Sequence, residues 1–199
     1  FKAALQIAFE HDNTVLIEKF IPGREFRIFI INDEVVGILH RVPANVTGDG
    51  VLNIGQLIDR KNEDPLRGKG YRTPLEKIRK GREEEMFLKQ QGMDFNTVPK
   101  EREVVYLREN SNISTGGDSI DFTDDIDDSY KAIAVEAAKA LNVKITGLDM
   151  MIQDIHAPAT PDNYAIIEMN FNPAIHIHCY PFKGKNRHLN HKMIKALGF

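Results

Sequence analysis

Two short segments constrain this chain more than anything else in it: Gly147-Leu148-Asp149 and Glu168-Met169-Asn170-Phe171-Asn172-Pro173. Both read as acidic strands, and Pro158 and Pro161 force the connection between them out of regular structure. Residues i and i+2 of a strand face the same way, so Glu168 and Asn170 share one side. With the strand carrying Asp149 laid beside them, two carboxylates and an amide carbonyl converge on a small volume. Such hard oxygen donors suit magnesium, while waters and a nucleotide's phosphates fill its remaining positions. The plain alternative is an acidic strand end braced by hydrogen-bonded neighbours.

The rest of the chain reads as a mixture of strands and helices. Residues 1–11 have helical spacing, with Leu5, Ala8 and Phe9 on one apolar face. Thr14 to Phe20 reads as a strand stopped by Pro22-Gly23, and 25–31 with 34–41 as a hairpin about Asn32-Asp33. Ile54, Leu57 and Ile58 mark a short helix within the glycine-bearing segment 43–73. Residues 75–91 form a charged amphipathic stretch with Ile78, Met86 and Leu88 as buried positions, though Gly81 argues against one continuous helix. Val104 to Leu107 is a strand, the alanine-rich 130–141 a helix, and 145–152 and 164–169 two further strands. The basic tail 183–192 is expected to be peripheral.

A length of 199 residues can bury a real core as one large or two small domains, and no linker or internal repeat divides it. The 26 basic and 29 acidic residues leave a net charge of -3, which gives no general attraction to nucleic acid. No apolar run reaches the roughly 18 residues of a membrane helix, so no membrane partner is expected. One cysteine, Cys179, excludes an intramolecular disulfide and fits a reducing, cytoplasmic setting. The opening Phe1-Lys2-Ala3-Ala4 lies inside a helical pattern, so the chain is read as a fragment that begins elsewhere.

Other residues suit phosphate chemistry. Glu25 and Arg27 alternate on one strand, and the hairpin brings Arg41 towards the same surface. A carboxylate accepts hydrogen bonds from ribose hydroxyls, and guanidinium groups bind phosphate oxygens directionally. A solvated ion-pair face would carry the same residues. Arg108 enters a polar run, Asn110-Ser111-Asn112-Ile113-Ser114-Thr115-Gly116-Gly117, that suits an acidic substrate or a braced loop. Neither a P-loop nor a dinucleotide-binding glycine fingerprint is present. His176, His178 and Cys179 lack a second ligand cluster and read as a packed loop rather than a zinc site.

Taken in order, these segments resemble an ATP-grasp ligase. The stretches Glu18 to Arg27, Arg41 to Gly50, Leu107 to Gly117, Gly147 to Asp149 and Glu168 to Pro173 carry the likeness, which spans nearly the whole chain. The resemblance is to the C-terminal glutathione synthetase module of bacterial bifunctional glutamate–cysteine ligase/glutathione synthetases, with cyanophycin synthetase as a nearby alternative. It implies an α+β fold, the C-terminal part of an ATP-grasp domain, with a largely antiparallel sheet flanked by helices. Residues 1–199 would form a partial domain that begins after the upstream nucleotide-lid elements. By the same resemblance Glu18, Lys19 and Phe20 match the hinge at adenine and Glu25 the residue at the ribose. Asp149, Glu168 and Asn170 match the ligands of Mg2+, with Mn2+ as a substitute, that hold ATP. Arg27, Arg41 and Arg108 stabilise phosphate or acyl phosphate, Asn172 helps to close the site, and Asn110 to Gly117 shape the substrate side. The implied reaction joins gamma-glutamylcysteine and glycine with ATP, beside an upstream glutamate–cysteine ligase module. An ATP-binding or structural fragment without turnover is the non-catalytic alternative.

Overall fold

The structure, a computed structural model, describes residues 2–17 and 19–199. Its centre is a five-stranded antiparallel sheet in the order β7-β2-β1-β8-β9. In chain order these are β1 (Arg24–Ile31), β2 (Glu34–Val42), β7 (Asp118–Asp121), β8 (Ile145–Ile152) and β9 (Tyr164–Asn170). A smaller layer pairs β3 (Asn45–Thr47) with β6 (Val104–Tyr106), and β4 (Arg67–Gly68) bridges β5 (Leu75–Glu76) in parallel. The helices are α1 (Lys2–Phe9), α2 (Ile54–Lys61), α3 (Arg82–Gln90), α4 (Asp128–Ala140), α5 (His176–Cys179) and α6 (Leu189–Ala196).

The sheet is covered on both faces, which explains why β1 is almost continuously apolar. Phe26, Ile28 and Ile30 join Ile38, Leu148 and Met150 on one face and pack under Tyr130, Ala134 and Ala138 of α4. On the other face Phe29 and Ile31 meet Cys179 and Leu189, from α5 and α6. Each fully buried side chain of this size contributes roughly 1.5–3 kcal/mol relative to exposure. The exception in β1 is Arg27, a buried charge on the α5–α6 face. The hairpin closes through Asn32 (φ 47°) and Asp33 (φ 64°), both left-handed as the expected two-residue turn requires. A third core, with Val46, Ile54, Leu57, Ile58, Leu88 and Val105, holds the smaller layer together.

Four expectations need correction. The expected strand 14–20 does not form: residues 14–17 and 19–20 have no ladder partner, and Leu16, Ile17 and Phe20 are exposed. Glu18 lies outside the described residues. Within residues 75–91 the break expected at Gly81 is present, α3 starting only after it, where the Gly81 N–H bonds the Glu84 side chain at 2.9 Å; the burial expected of Met86 is what fails. Met86 faces solvent, while Ile78 is buried from the preceding loop. α1 forms, but Phe9 is exposed and Leu5 and Ala8 are only partly buried, and among the described residues none of the three joins a core cluster. The basic tail is a strap rather than a peripheral segment: Arg187 forks onto Asp121 and Asp124, and Leu189 is fully buried. Among the described residues no helix is long and apolar enough to cross a membrane.

Candidate functional site

One row of side chains crosses the sheet. Arg27 of β1 stands opposite Asp149 of β8, and Asp149 stands opposite Glu168 of β9. Residues paired across an antiparallel ladder point to the same face, so the three form a contiguous polar row. Asn170 lies two residues from Glu168 on that face and opposite Gly147. A Cβ at Gly147 would sit 2.7 Å from the Pro173 Cβ and 3.0 Å from the Arg27 Cδ. Glycine there lets the loop after β9 and the arginine stem close around the same backbone.

Asp149 is 2% exposed and is held by two arginines. Arg27 donates through Nε and Nη2, the latter at 2.8 Å, and Arg41 Nη2 donates to the same Asp149 Oδ2 at 2.8 Å. Arg41 also pairs with Glu25, which accepts a hydrogen bond from the Ser111 hydroxyl. A buried carboxylate between guanidinium forks is satisfied by charge-assisted bonds, and removing one partner would leave an uncompensated charge. At the sheet edge, Asn170 Nδ2 donates to Glu168 Oε1 at 2.9 Å. This fixes the amide so that its carbonyl and the second Glu168 oxygen remain free as acceptors.

The other expected residues distribute differently. Arg108 lies away from Asp149: its Nε and Nη2 engage the buried Glu84, and Nη1 engages Glu83. It therefore ties the segment after β6 to the first turn of α3. Asn172 is exposed and makes no hydrogen bond among the described residues. Lys19 and Phe20 are exposed in irregular backbone.

Two spaces adjoin the arginines that hold Asp149. A cleft of about 560 Å³ separates the sheet from the smaller layer, lined by Glu25, Arg41, Met151, Tyr106, Arg108 and Ser111 among others. A smaller cavity of about 190 Å³ is bounded by Arg27, Arg41, Glu76, Asn112, Ser114 and His176, with Tyr71 at its wall. A more spacious hollow of about 690 Å³, between Asp59 and Lys80, contains none of the row residues.

Three histidines near the site were not singled out by sequence reasoning as site residues. His40 Nδ1–H donates to the Glu25 carbonyl at 3.0 Å, and burial and then Arg24 lower its pKa to about 4. His178 is fully buried, edge-on to Phe29, with neither ring nitrogen partnered; burial, then Arg27, lowers its pKa to about 3. Partial desolvation also lowers the pKa of His176, although that residue is exposed. The alternation of His176 and His178 was the only signal available, and it does not specify which ring faces a cavity. Among the described residues no three His, Cys, Asp or Glu side chains converge as a metal cluster. Asp149, Glu168 and Asn170 form an all-oxygen set that includes an amide, the donor chemistry of a hard divalent cation.

No family model matches the chain. Over all 199 residues it is 64% identical to the glutathione biosynthesis bifunctional protein of Desulfotalea psychrophila, covering 26% of that protein. The corresponding protein of Clostridium perfringens is 57% identical over 197 residues, 99% of this chain and 25% of the relative. The chain thus spans about a quarter of the length of these curated relatives. A bifunctional glutathione synthetase crystal structure from Pasteurella multocida superposes with a TM-score of 0.84 at 47% identity, over 98% of this chain and 27% of that one. The architecture is accordingly an α+β, ATP-grasp-like fold with an antiparallel sheet flanked by helices.

Proposed function

We propose that this chain, which belongs by sequence to the bifunctional glutathione biosynthesis proteins, forms part of an ATP-dependent carboxylate–amine ligase. In the full-length protein the reaction would activate the cysteine carboxylate of gamma-glutamylcysteine as an acyl phosphate. Glycine's amine would then displace phosphate, giving glutathione, ADP and inorganic phosphate. The observation that carries this reading is the row Arg27–Asp149–Glu168, with Asn170 beside it, which sets cationic forks and oxygen donors side by side. Phosphoryl transfer needs both kinds of group, positioned before the reaction.

Asp149, Glu168 and Asn170 would hold Mg2+, or Mn2+ in its place, and the bound ion would neutralise phosphate charge. Arg27 and Arg41, already directed at Asp149, would orient the transferring phosphate and the acyl phosphate. Glu25 would accept the ribose hydroxyls, and the hinge at Glu18, Lys19 and Phe20 would contact adenine. Arg108 would act at longer range by fixing the wall of the cleft. Asn172 would join the loop that closes over the site. The smaller layer walls the cleft beside Glu25 and Arg41 and would limit water at a hydrolysable intermediate there.

The remaining elements of the ATP-grasp site, including the nucleotide lid, would lie in the parts that the relatives carry outside the matched stretch. A glutamate–cysteine ligase module would lie there too. A cytoplasmic setting suits the free, buried Cys179. The test is a product assay on the full-length protein with ATP, gamma-glutamylcysteine and glycine. Glutathione formed in step with ADP and phosphate is the expected result. No glutathione, with efficient extension of an aspartate-rich peptide, would assign the site to a cyanophycin-type ligase instead.

A further inference from the structure

The cavity of about 190 Å³ lies on the side of the Arg27–Asp149 pair away from Glu168. If nucleotide phosphates occupy the Asp149–Glu168 side, the activated carbonyl must present itself at Arg27 and Arg41, facing this cavity. The space is small and suits a small amino acid rather than a long side chain. Its polar boundary offers two candidate proton acceptors, Glu76 and His176. Glu76 is committed to a turn, accepting the backbone N–H of Gly70 at 3.2 Å and of Tyr71 at 2.5 Å. The His176 ring makes no hydrogen bond and no ion pair among the described residues, although it bounds the same space as both arginines.

We propose that His176 is the base that accepts a proton from the attacking amine of the amino-acid substrate. The proposal rests on the ligase reading above and adds a residue role to it. The amine enters as an ammonium group and loses one proton to the imidazole. Its lone pair then forms the C–N bond to the acyl carbon, while the C–O bond to phosphate breaks with its electron pair. The second nitrogen proton goes to the departing phosphate, and the imidazolium returns its proton to water. Charge and atoms balance without another reagent.

The electrostatics favour this role. His176 is exposed at the mouth of this cavity, and partial desolvation there moves its pKa down from 6.5, so the ring is uncharged and able to accept at neutral pH. Arg27 and Arg41 face it from the sheet, Tyr71 and Glu76 from the loop, and His178 lies on its own turn. Protonation is therefore expected to suppress amide formation as pH falls through the lowered value.

The test compares the full-length wild type with His176→Gln, using ATP, gamma-glutamylcysteine and either glycine or hydroxylamine. Hydroxylamine is uncharged at neutral pH and needs no side-chain base to become a nucleophile. With glycine, amide formation by the variant should fall about 100-fold, within the usual range for a general base. Hydroxamate formation should stay within about twofold of wild type, and the acid limb of the glycine pH profile should disappear. Equal losses with both nucleophiles, or none with glycine, would overturn the proposal. Absence of ATP-dependent hydroxamate from the wild type would instead overturn the ligase reading on which it rests.

Discussion

Asp149 and Glu168 stand directly opposite each other across the β8–β9 ladder, at the last pair before the register shifts between Asp149 and Met150. One is buried between two arginines and the other is exposed at the sheet edge. The same charge therefore has two very different energetic roles.

That difference separates stability from ligand binding. Asp149→Ala should lower the free energy of unfolding by about 3–5 kcal/mol, because Arg27 and Arg41 lose a buried partner. Glu168→Gln should change it by less than about 1 kcal/mol, since its carboxylate is already hydrated. Urea titrations of the two variants check this. Equal destabilisation would mean that the edge carboxylate is structural.

His178 should make the fold acid-sensitive. Its folded pKa of about 3 lies below the usual 6.5, so the unfolded chain binds the proton first as pH falls. Stability is then complete above about 6.5 and declines towards pH 3, by up to about 1.4 kcal/mol per pH unit for this group. His40, at about 4, adds to the loss in the same direction. His178→Leu should flatten part of the slope, and removing two unpartnered nitrogens should not destabilise the core at pH 7. Unfolding midpoints measured from pH 7 to pH 4 decide the matter; an unchanged slope in the variant would count against a neutral buried ring.

Arg187 anchors α6 through Asp121, whose side chain is 3% exposed. Arg187→Ala should cost about 3 kcal/mol, as the carboxylate loses its fork. Hydrogen exchange should quicken first in Leu189–Ala196 and not in β8. Uniform quickening would place the loss in the sheet instead.

Arg108 and Arg41 should part company under mutation. Arg108→Ala leaves Glu84 buried without its guanidinium and should reduce stability by about 3 kcal/mol. Its expected effect on turnover is indirect, through the wall of the cleft. Arg41→Met should lower kcat of the full-length protein in the proposed ligation by at least about tenfold if the fork stabilises the transition state. A larger kcat loss from Arg108→Ala than from Arg41→Met would reverse these roles.

Much of the fold was legible because local patterns and long-range packing agree. Asn32-Asp33 supplies the left-handed turn that the hairpin needs, and the alternation of Glu25 and Arg27 places both on one face. The strands carrying Asp149 and Glu168 do lie side by side, which the sequence alone leaves as a supposition, and the i, i+2 spacing then puts Glu168 and Asn170 on one face. Thr14 to Phe20 misled because β-branched and aromatic residues favour a strand only where a partner edge exists. The tail misled for the opposite reason: Arg187 looks like a solvated charge until Asp121, distant in sequence, is folded beneath it. His176 gave no local signal beyond its alternation with His178, since what distinguishes it is a cavity assembled from β1, β2 and the segments around Glu76, Ser114 and Ala174.

The most direct measurement is a calorimetric titration of Mg-ATP into the full-length wild type and Glu168→Gln, both verified as folded. If Asp149, Glu168 and Asn170 hold the metal of the nucleotide, wild type should bind and the variant's affinity should fall at least about tenfold, a loss of about 1.4 kcal/mol. Equal metal-dependent affinity in the two proteins would contradict the assignment of this row as the Mg-ATP site.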